Sequence, residues 1–229
     1  NMTCTCIGKS GFKAFILGAG ALAAGLAIAV AASGTAAAGP DKDKKADKGV
    51  EVGQKAPDFT LETIKGKSHT LSDYLEEGKT VVLTWWAPDC PYVIKHYADE
   101  KNRTFNDITK NYKNKDVVML AVNSSHPGHQ FGDVDRCKKR MNEWNVNHPL
   151  LMDPTGRVGK KYGAKRTPEI FIVDSSGVVR YHGAIDDDSS YGGIGETNYV
   201  RQALDALLAG SEVPTAKTSP YGCSVKYSG

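Results

Sequence analysis

The chain has only five cysteines in 229 residues, and no two of them are spaced Cys-x-x-Cys or Cys-x-x-x-Cys. That spacing excludes a redox or metal-binding cysteine pair within one helical turn. No glycine-rich phosphate loop and no His-Glu-x-x-His run occur, which removes two common motif-borne chemistries, phosphate cradling and zinc hydrolysis. Charge is nearly balanced, with 29 Lys and Arg against 26 Asp and Glu. A near-neutral chain argues against nucleic acid as a partner. Internal repeats are absent, and so is any second linker beyond the one near residue 45.

What is present begins with an uncharged stretch. No charged residue falls between Ala14 and Pro40, and Phe15 to Ala32 is dominated by Ile, Leu, Ala, Val and Gly. Lys9 and Lys13 precede it, and small residues of the A-x-A kind, Thr35 to Gly39, follow. Residues 1–38 are expected to be a secretory signal sequence, cut after Ala38, or an uncleaved anchor with 15–32 as the membrane tether. Either way the soluble part is exported, to the periplasm or beyond. Cys4 and Cys6 lie ahead of the apolar run, not after it where a lipoprotein cysteine belongs. Residues 39–52, with mixed charge from Asp41 to Lys48, read as a solvated linker. Residues 53–210 then suffice for one domain, and 211–229 form a Pro- and Gly-containing tail carrying Cys223.

The most informative segment is Val81-Val82-Leu83-Thr84-Trp85-Trp86-Ala87-Pro88-Asp89-Cys90-Pro91-Tyr92-Val93. A β-prone run leads to a cysteine directly before a proline. Proline suits the first position of a helix, where its missing N–H is no loss. Cys90 is therefore expected at a helix N-terminus, where free N–H groups stabilise a thiolate. Downstream, residues 91–112 read as one helix. Val117 to Val122 reads as a strand buried on both faces, 134–145 as a helix, and Leu150 to Met152 as a short strand. Ile170 to Asp174 and Val178 to His182 flank Ser175-Ser176-Gly177, a hairpin signature. A last helix is expected from about Thr197 to Ala209, stopped by Gly210.

This layout resembles the thioredoxin superfamily, and within it the peroxiredoxin-like redoxins of the alkyl hydroperoxide reductase and thiol-specific antioxidant type. Gly53-Gln54-Lys55-Ala56-Pro57-Asp58-Phe59-Thr60-Leu61 looks like their G-x-x-A-P-x-F-x-L entry. Asp89-Cys90-Pro91-Tyr92-Val93-Ile94-Lys95-His96 and Gly222-Cys223-Ser224-Val225-Lys226 resemble a redoxin core and its late motif. The resemblance implies an α/β thioredoxin-like fold, with a central mixed sheet flanked by helices and an N-terminal β-hairpin extension. The chain departs from the pattern at Val93, where thioredoxin has its second cysteine, and at Ala87, where peroxiredoxins have threonine.

The resemblance also implies that Pro168 is cis and packs opposite Cys90, with the Thr167 backbone as a docking edge for an extended substrate. Cys90 is then the nucleophile, Pro91 its helix-opening neighbour, and Arg166 the local cation that favours the thiolate. An adjacent Asp89 works against it, because a nearby negative charge raises a thiol pKa. About twelve extended residues from Ser211 span roughly 40 Å, so Cys223 can reach Cys90 as the resolving thiol. The expected function is that of an exported thiol peroxidase or thiol–disulfide oxidoreductase, with a peroxide or protein disulfide as substrate and an external thiol as reductant. The alternative is a non-catalytic accessory subunit of a membrane assembly. No cofactor or metal is expected. Asp186 to Ser189 lacks EF-hand spacing and reads as a solvated acidic loop. His126, His129 and His148 are candidate partners of Cys90 in a copper or zinc site, for which the Cys-x-x-x-Cys pair of copper-chaperone relatives is lacking. Arg136 to Arg140 reads as the wet face of a helix, and Cys137 as incidental.

Overall fold

Burial with a period of two divides each central strand between two helical layers. The computed structural model describes residues 48–98 and 103–228; the expected signal or anchor (1–38), the tether 15–32 and most of the 39–52 linker lie outside them. A seven-stranded sheet runs β2–β1–β5–β4–β3–β7–β8. Its strands are β1 (Thr60–Thr63), β2 (Ser68–Thr70), β3 (Thr80–Trp85), β4 (Val117–Asn123), β5 (Leu150–Met152), β7 (Glu169–Val173) and β8 (Val179–Gly183). β3 pairs parallel with β4 and antiparallel with β7, and β4 pairs parallel with β5, so the sheet is mixed as expected. β1 and β2 form the antiparallel hairpin that extends its edge.

Val82, Met119, Ala121, Ile170 and Ile172 face one layer, built from α2 (Pro91–Ile94), α3 (Thr104–Tyr112), α4 (Val134–Glu143) and α6 (Tyr199–Leu208). Val81, Leu83, Trp85, Leu120, Val122, Phe171 and Val173 face the other, with α1 (Leu71–Glu76) and α5 (Arg157–Tyr162). Strands sandwiched between two apolar layers need apolar residues at both parities, which is why β3 and β4 read as continuous hydrophobic runs. Trp85 anchors the second layer. Its ring lies 5.3 Å from that of Tyr162 and 5.2 Å from that of Phe171, and its Nε1–H donates to Ser124 Oγ at 3.1 Å.

Three expectations need correction. The single helix over 91–112 is instead α2, followed by tight turns to Ala98, and a separate α3 whose cap, Arg103, has non-helical φ −79° and ψ 55°. The linker ends earlier than residue 52: Val50 is buried and its N–H donates to Tyr162 O at 3.3 Å. The tail is not structureless, because β9 (Cys223–Ser224) pairs antiparallel with β6 (Arg166–Thr167). α5, which carries no strong hydrophobic period, escaped the sequence reading; Gly156 and Gly163, both at positive φ, bound it.

Trp85→Ala removes the largest side chain of the second layer and leaves Ser124 Oγ without that donor. The expected cost is about 3–5 kcal/mol, read as a lower urea midpoint at unchanged slope.

Candidate active site

The chain leaves β3 through Trp86, Ala87 and Pro88 and turns into α2 at Cys90. Cys90 is the N-cap residue, with φ −76° and ψ 119°, and Pro91 opens the helix. The Cys90 carbonyl accepts the N–H groups of Val93 and Ile94, both at 2.9 Å. Its side chain is fully buried, and Sγ lies 2.9 Å from Thr167 O. The Thr167–Pro168 peptide bond is cis. Cys90, Pro91, Thr167 and Pro168 are therefore brought together at one end of the sheet.

Cys223 joins them from the far end of the sequence. Thr167 and Cys223 are direct partners in the β6–β9 pair, as are Arg166 and Ser224. The segment around them is tied down along its length. Thr218 N donates to His182 O at 3.1 Å, Val225 N to Lys165 O at 3.0 Å, and His126 N to Lys226 O at 2.7 Å. Tyr227 OH donates to Ala164 O at 2.7 Å. A Cβ on Gly159 would lie 2.4 Å from that hydroxyl, so only glycine leaves room for it. Gly222 is the tightest point, at φ +119°, where an added Cβ would sit 2.1 Å from Thr167 O. Backbone groups that find partners on a neighbouring strand stay ordered without an apolar pattern of their own.

Two residues before Cys223, Tyr221 donates through its hydroxyl to Asp186 Oδ1 at 2.5 Å and lies 3.1 Å from His96 Nε2. Asp186 is buried rather than part of a solvated loop, and it also accepts Gly195 N–H at 2.9 Å. Burial keeps His96 neutral, its pKa down at about 3, so its 4.0 Å approach to Asp186 is no ion pair. Lys95 caps the cluster, with Nζ donating to Asp188 O at 2.6 Å and lying 4.6 Å over the Tyr221 ring.

The pKa values of the two thiols are driven in opposite directions. Hydrogen bonding from the Cys223 thiol brings Cys90 down from an ordinary 9.0 to about 6, against burial that pushes it up. The Thr167 side chain and the backbone N–H groups of Cys223 and Val93 add to the lowering. Cys223 moves the opposite way, raised by that same hydrogen bond, by burial and by the charge on Cys90. These influences favour the thiolate on Cys90 and the proton on Cys223. Cys137 is buried in the core and pushed up to about 12 by burial, which makes it inert.

Asp89 does not act as a free negative charge beside Cys90. Arg140 Nη2 holds its Oδ1 at 2.8 Å and Arg136 Nη1 its Oδ2 at 2.8 Å. Burial raises the Asp89 pKa, but the hydrogen bonds from Arg140 and Arg136 outweigh it and the net shift is downward. The tract expected as a wet helix face thus contributes a guanidinium clamp. Arg166 is exposed, and its Nη1 reaches Gly222 O at 3.4 Å. Its charge lowers the pKa of Cys223, whereas the groups acting on Cys90 are those named above. The histidines considered as metal ligands lie elsewhere: His148 Nε2 pairs with Tyr97 OH at 2.9 Å, and the His126 ring lies edge-on to that of His129. Among the described residues no group of three His, Cys, Asp or Glu is arranged to hold a metal. Of the residues missed in the sequence, Tyr221 adjoins a legible motif; Asp186, Arg136 and Arg140 join the site only through long-range contacts.

Residues 52–182 match the model of the AhpC/TSA family. Over 131 residues the chain is 30% identical to the thiol-disulfide oxidoreductase ResA of Geobacillus thermodenitrificans, covering 57% of this chain and 68% of that protein. Over 188 residues it is 28% identical to the chloroplastic 2-Cys peroxiredoxin BAS1 of Spinacia oleracea, covering 76% and 67%. Among solved structures it is similar to an uncharacterized conserved protein from Geobacillus kaustophilus, at 30% identity and TM-score 0.70, covering 78% of this chain and 93% of its counterpart.

Thiolate ultraviolet absorbance of the reduced chain should show a titration near pH 6 that Cys90→Ser removes. Cys223→Ala should move that midpoint up by about one unit or more, toward the ordinary thiol value. The sign carries to stability: because the folded Cys90 pKa is depressed, its contribution is complete above the unfolded value near 9 and is lost as pH falls through about 6. Gly222→Ala should push β9 off Thr167 and slow formation of a Cys90–Cys223 disulfide about tenfold or more, measured by mass spectrometry after an oxidant pulse; an unchanged rate would show that the β6–β9 pairing does not deliver Cys223.

Proposed function

Because the chain belongs to the AhpC/TSA family of thioredoxin-like proteins, we propose that it is a thiol–disulfide oxidoreductase whose redox pair is Cys90 and Cys223. The pairing of Cys223 with Thr167, which sets its thiol on the Cys90 sulfur beneath the cis-proline loop, carries this reading. Val93 occupies the place of a second cysteine one helical turn on, and the tail supplies that thiol instead. In the cycle the dithiol passes two electrons to a substrate disulfide and closes to a Cys90–Cys223 disulfide. An external thiol then reopens it by exchange through a mixed disulfide. A scaffold role gives no reason for two hydrogen-bonded thiols with pKa values driven apart.

Peroxide is the second candidate oxidant, favoured by the similarity to a 2-Cys peroxiredoxin. Two observations weigh against it. Ala87 is buried where peroxiredoxins carry a threonine. The nearby guanidiniums are engaged elsewhere, Arg136 and Arg140 by Asp89 and Arg166 by Gly222 O. The uncharged stretch from Ala14 to Pro40 supports export of the domain, with 15–32 as its membrane tether if uncleaved. Among the described residues no helix is long and apolar enough to cross a membrane.

Turnover of insulin disulfides with dithiothreitol as reductant should fall about a hundredfold or more in Cys90→Ser and in Cys223→Ser, with Cys137→Ser close to wild type. Loss confined to hydrogen peroxide consumption, with no disulfide turnover in the wild type, would assign the protein to the peroxidases instead.

A further inference from the structure

We infer that Cys223, not Cys90, is the sulfur that exchanges with the external partner, while Cys90 is the buried sulfur that completes the internal bond. This rests on the Cys90–Cys223 cycle proposed above and reverses the order in which its two thiols act. Cys90 is 0% exposed, whereas Cys223 is half-buried on an outer strand whose next residue, Ser224, is exposed. Displacement at sulfur requires the incoming, central and departing sulfurs to lie nearly in line. A partner can reach Cys90 only by displacing the residues that bury it. Cys223 already has part of its surface open to an incoming sulfur.

The docking edge expected on Thr167 is also taken. β9 occupies it, with Thr167 paired to Cys223 and Arg166 to Ser224, so a partner strand cannot pair there while the tail is in place. The tail thus fills the position of an extended substrate and offers its own cysteine to the partner. Tyr221, fixed by Asp186 and neighbouring His96, holds it in that position.

In the reductive half-cycle the Cys223 sulfur attacks a substrate disulfide, R–S–S–R′, and its proton passes to the Cys90 thiolate. A Cys223–S–R bond forms, the S–S bond of the substrate breaks, and R′–S⁻ departs. Cys90 then attacks the Cys223 sulfur, the Cys223–S–R bond breaks, and R–S leaves with the proton that Cys90 gives up. Two electrons have moved from the dithiol to the substrate. In reverse, an external thiolate attacks Cys223 and Cys90 is the leaving group, a role suited to its low pKa.

The test uses reduced full-length Cys90→Ser and Cys223→Ser proteins with oxidised glutathione, the adduct being mapped to its peptide so that Cys4, Cys6 and Cys137 are read separately. Cys223 in the first variant should be modified at least about tenfold faster than Cys90 in the second, and the two should converge to within about threefold in guanidinium. Equal rates in the native proteins, or a faster Cys90, would overturn the assignment. Cys90→Ala repeats the first arm, and circular dichroism of each variant against wild type shows whether the fold is retained. A wild-type chain that yields no Cys90–Cys223 linked peptide on oxidation would instead reject the redox pair itself, whichever variant reacts faster.

Discussion

The approach of Cys223 to Cys90 depends on a strand pair only two residues long. Thr167 and Cys223 face each other across it. Thr167 is placed by the cis bond to Pro168 and by Glu169, whose Oε2 accepts the N–H groups of Lys165 at 2.6 Å and Arg166 at 2.7 Å. Cys223 is placed by Gly222, which allows the close approach to Thr167 O, and by anchors on either side, Tyr221 on Asp186 and Tyr227 on Ala164. A short pairing with fixed ends loses little entropy when the sulfurs meet, because the ordering cost is already met in the fold.

The electrostatics follow from that geometry. A buried thiol is ordinarily pushed up, as Cys137 shows. Cys90 is just as buried by surface exposure, yet its thiolate is favoured because donors converge on it. Asp89, the one acidic neighbour in sequence, is neutralised by two guanidiniums from α4. Closing a bond between cysteines more than half the chain apart would also constrain the unfolded chain, by roughly 4–5 kcal/mol on the chain-entropy model. The oxidised form is then the more stable one, with its tail fastened covalently.

Much of this was legible in the sequence because it is local. The strand–Cys–Pro–helix order, the hairpin around Ser175-Ser176-Gly177 and the apolar runs of β3 and β4 each lie within a short window, and each formed as read. Cys90, Pro91, Thr167 and Pro168 also came together. What was not legible depends on partners distant in sequence. Arg136 and Arg140 carry no local sign that they would reach back to Asp89. β9 has two residues and no periodicity, and becomes a strand only because β6 offers an edge. Arg166 was chosen for proximity in sequence to Pro168, and the backbone directs it to the Gly222 carbonyl instead.

The central claim is that the fold makes Cys90 and Cys223 a single two-electron couple rather than two separate thiols. Equilibrating the full chain across glutathione redox buffers and weighing the acid-quenched products tests it directly. The account predicts a passage from dithiol to internal disulfide as one two-electron transition, with singly glutathionylated protein at these positions as a minor species. Accumulation of protein carrying glutathione on both Cys90 and Cys223, with no linked peptide at any potential, would contradict it.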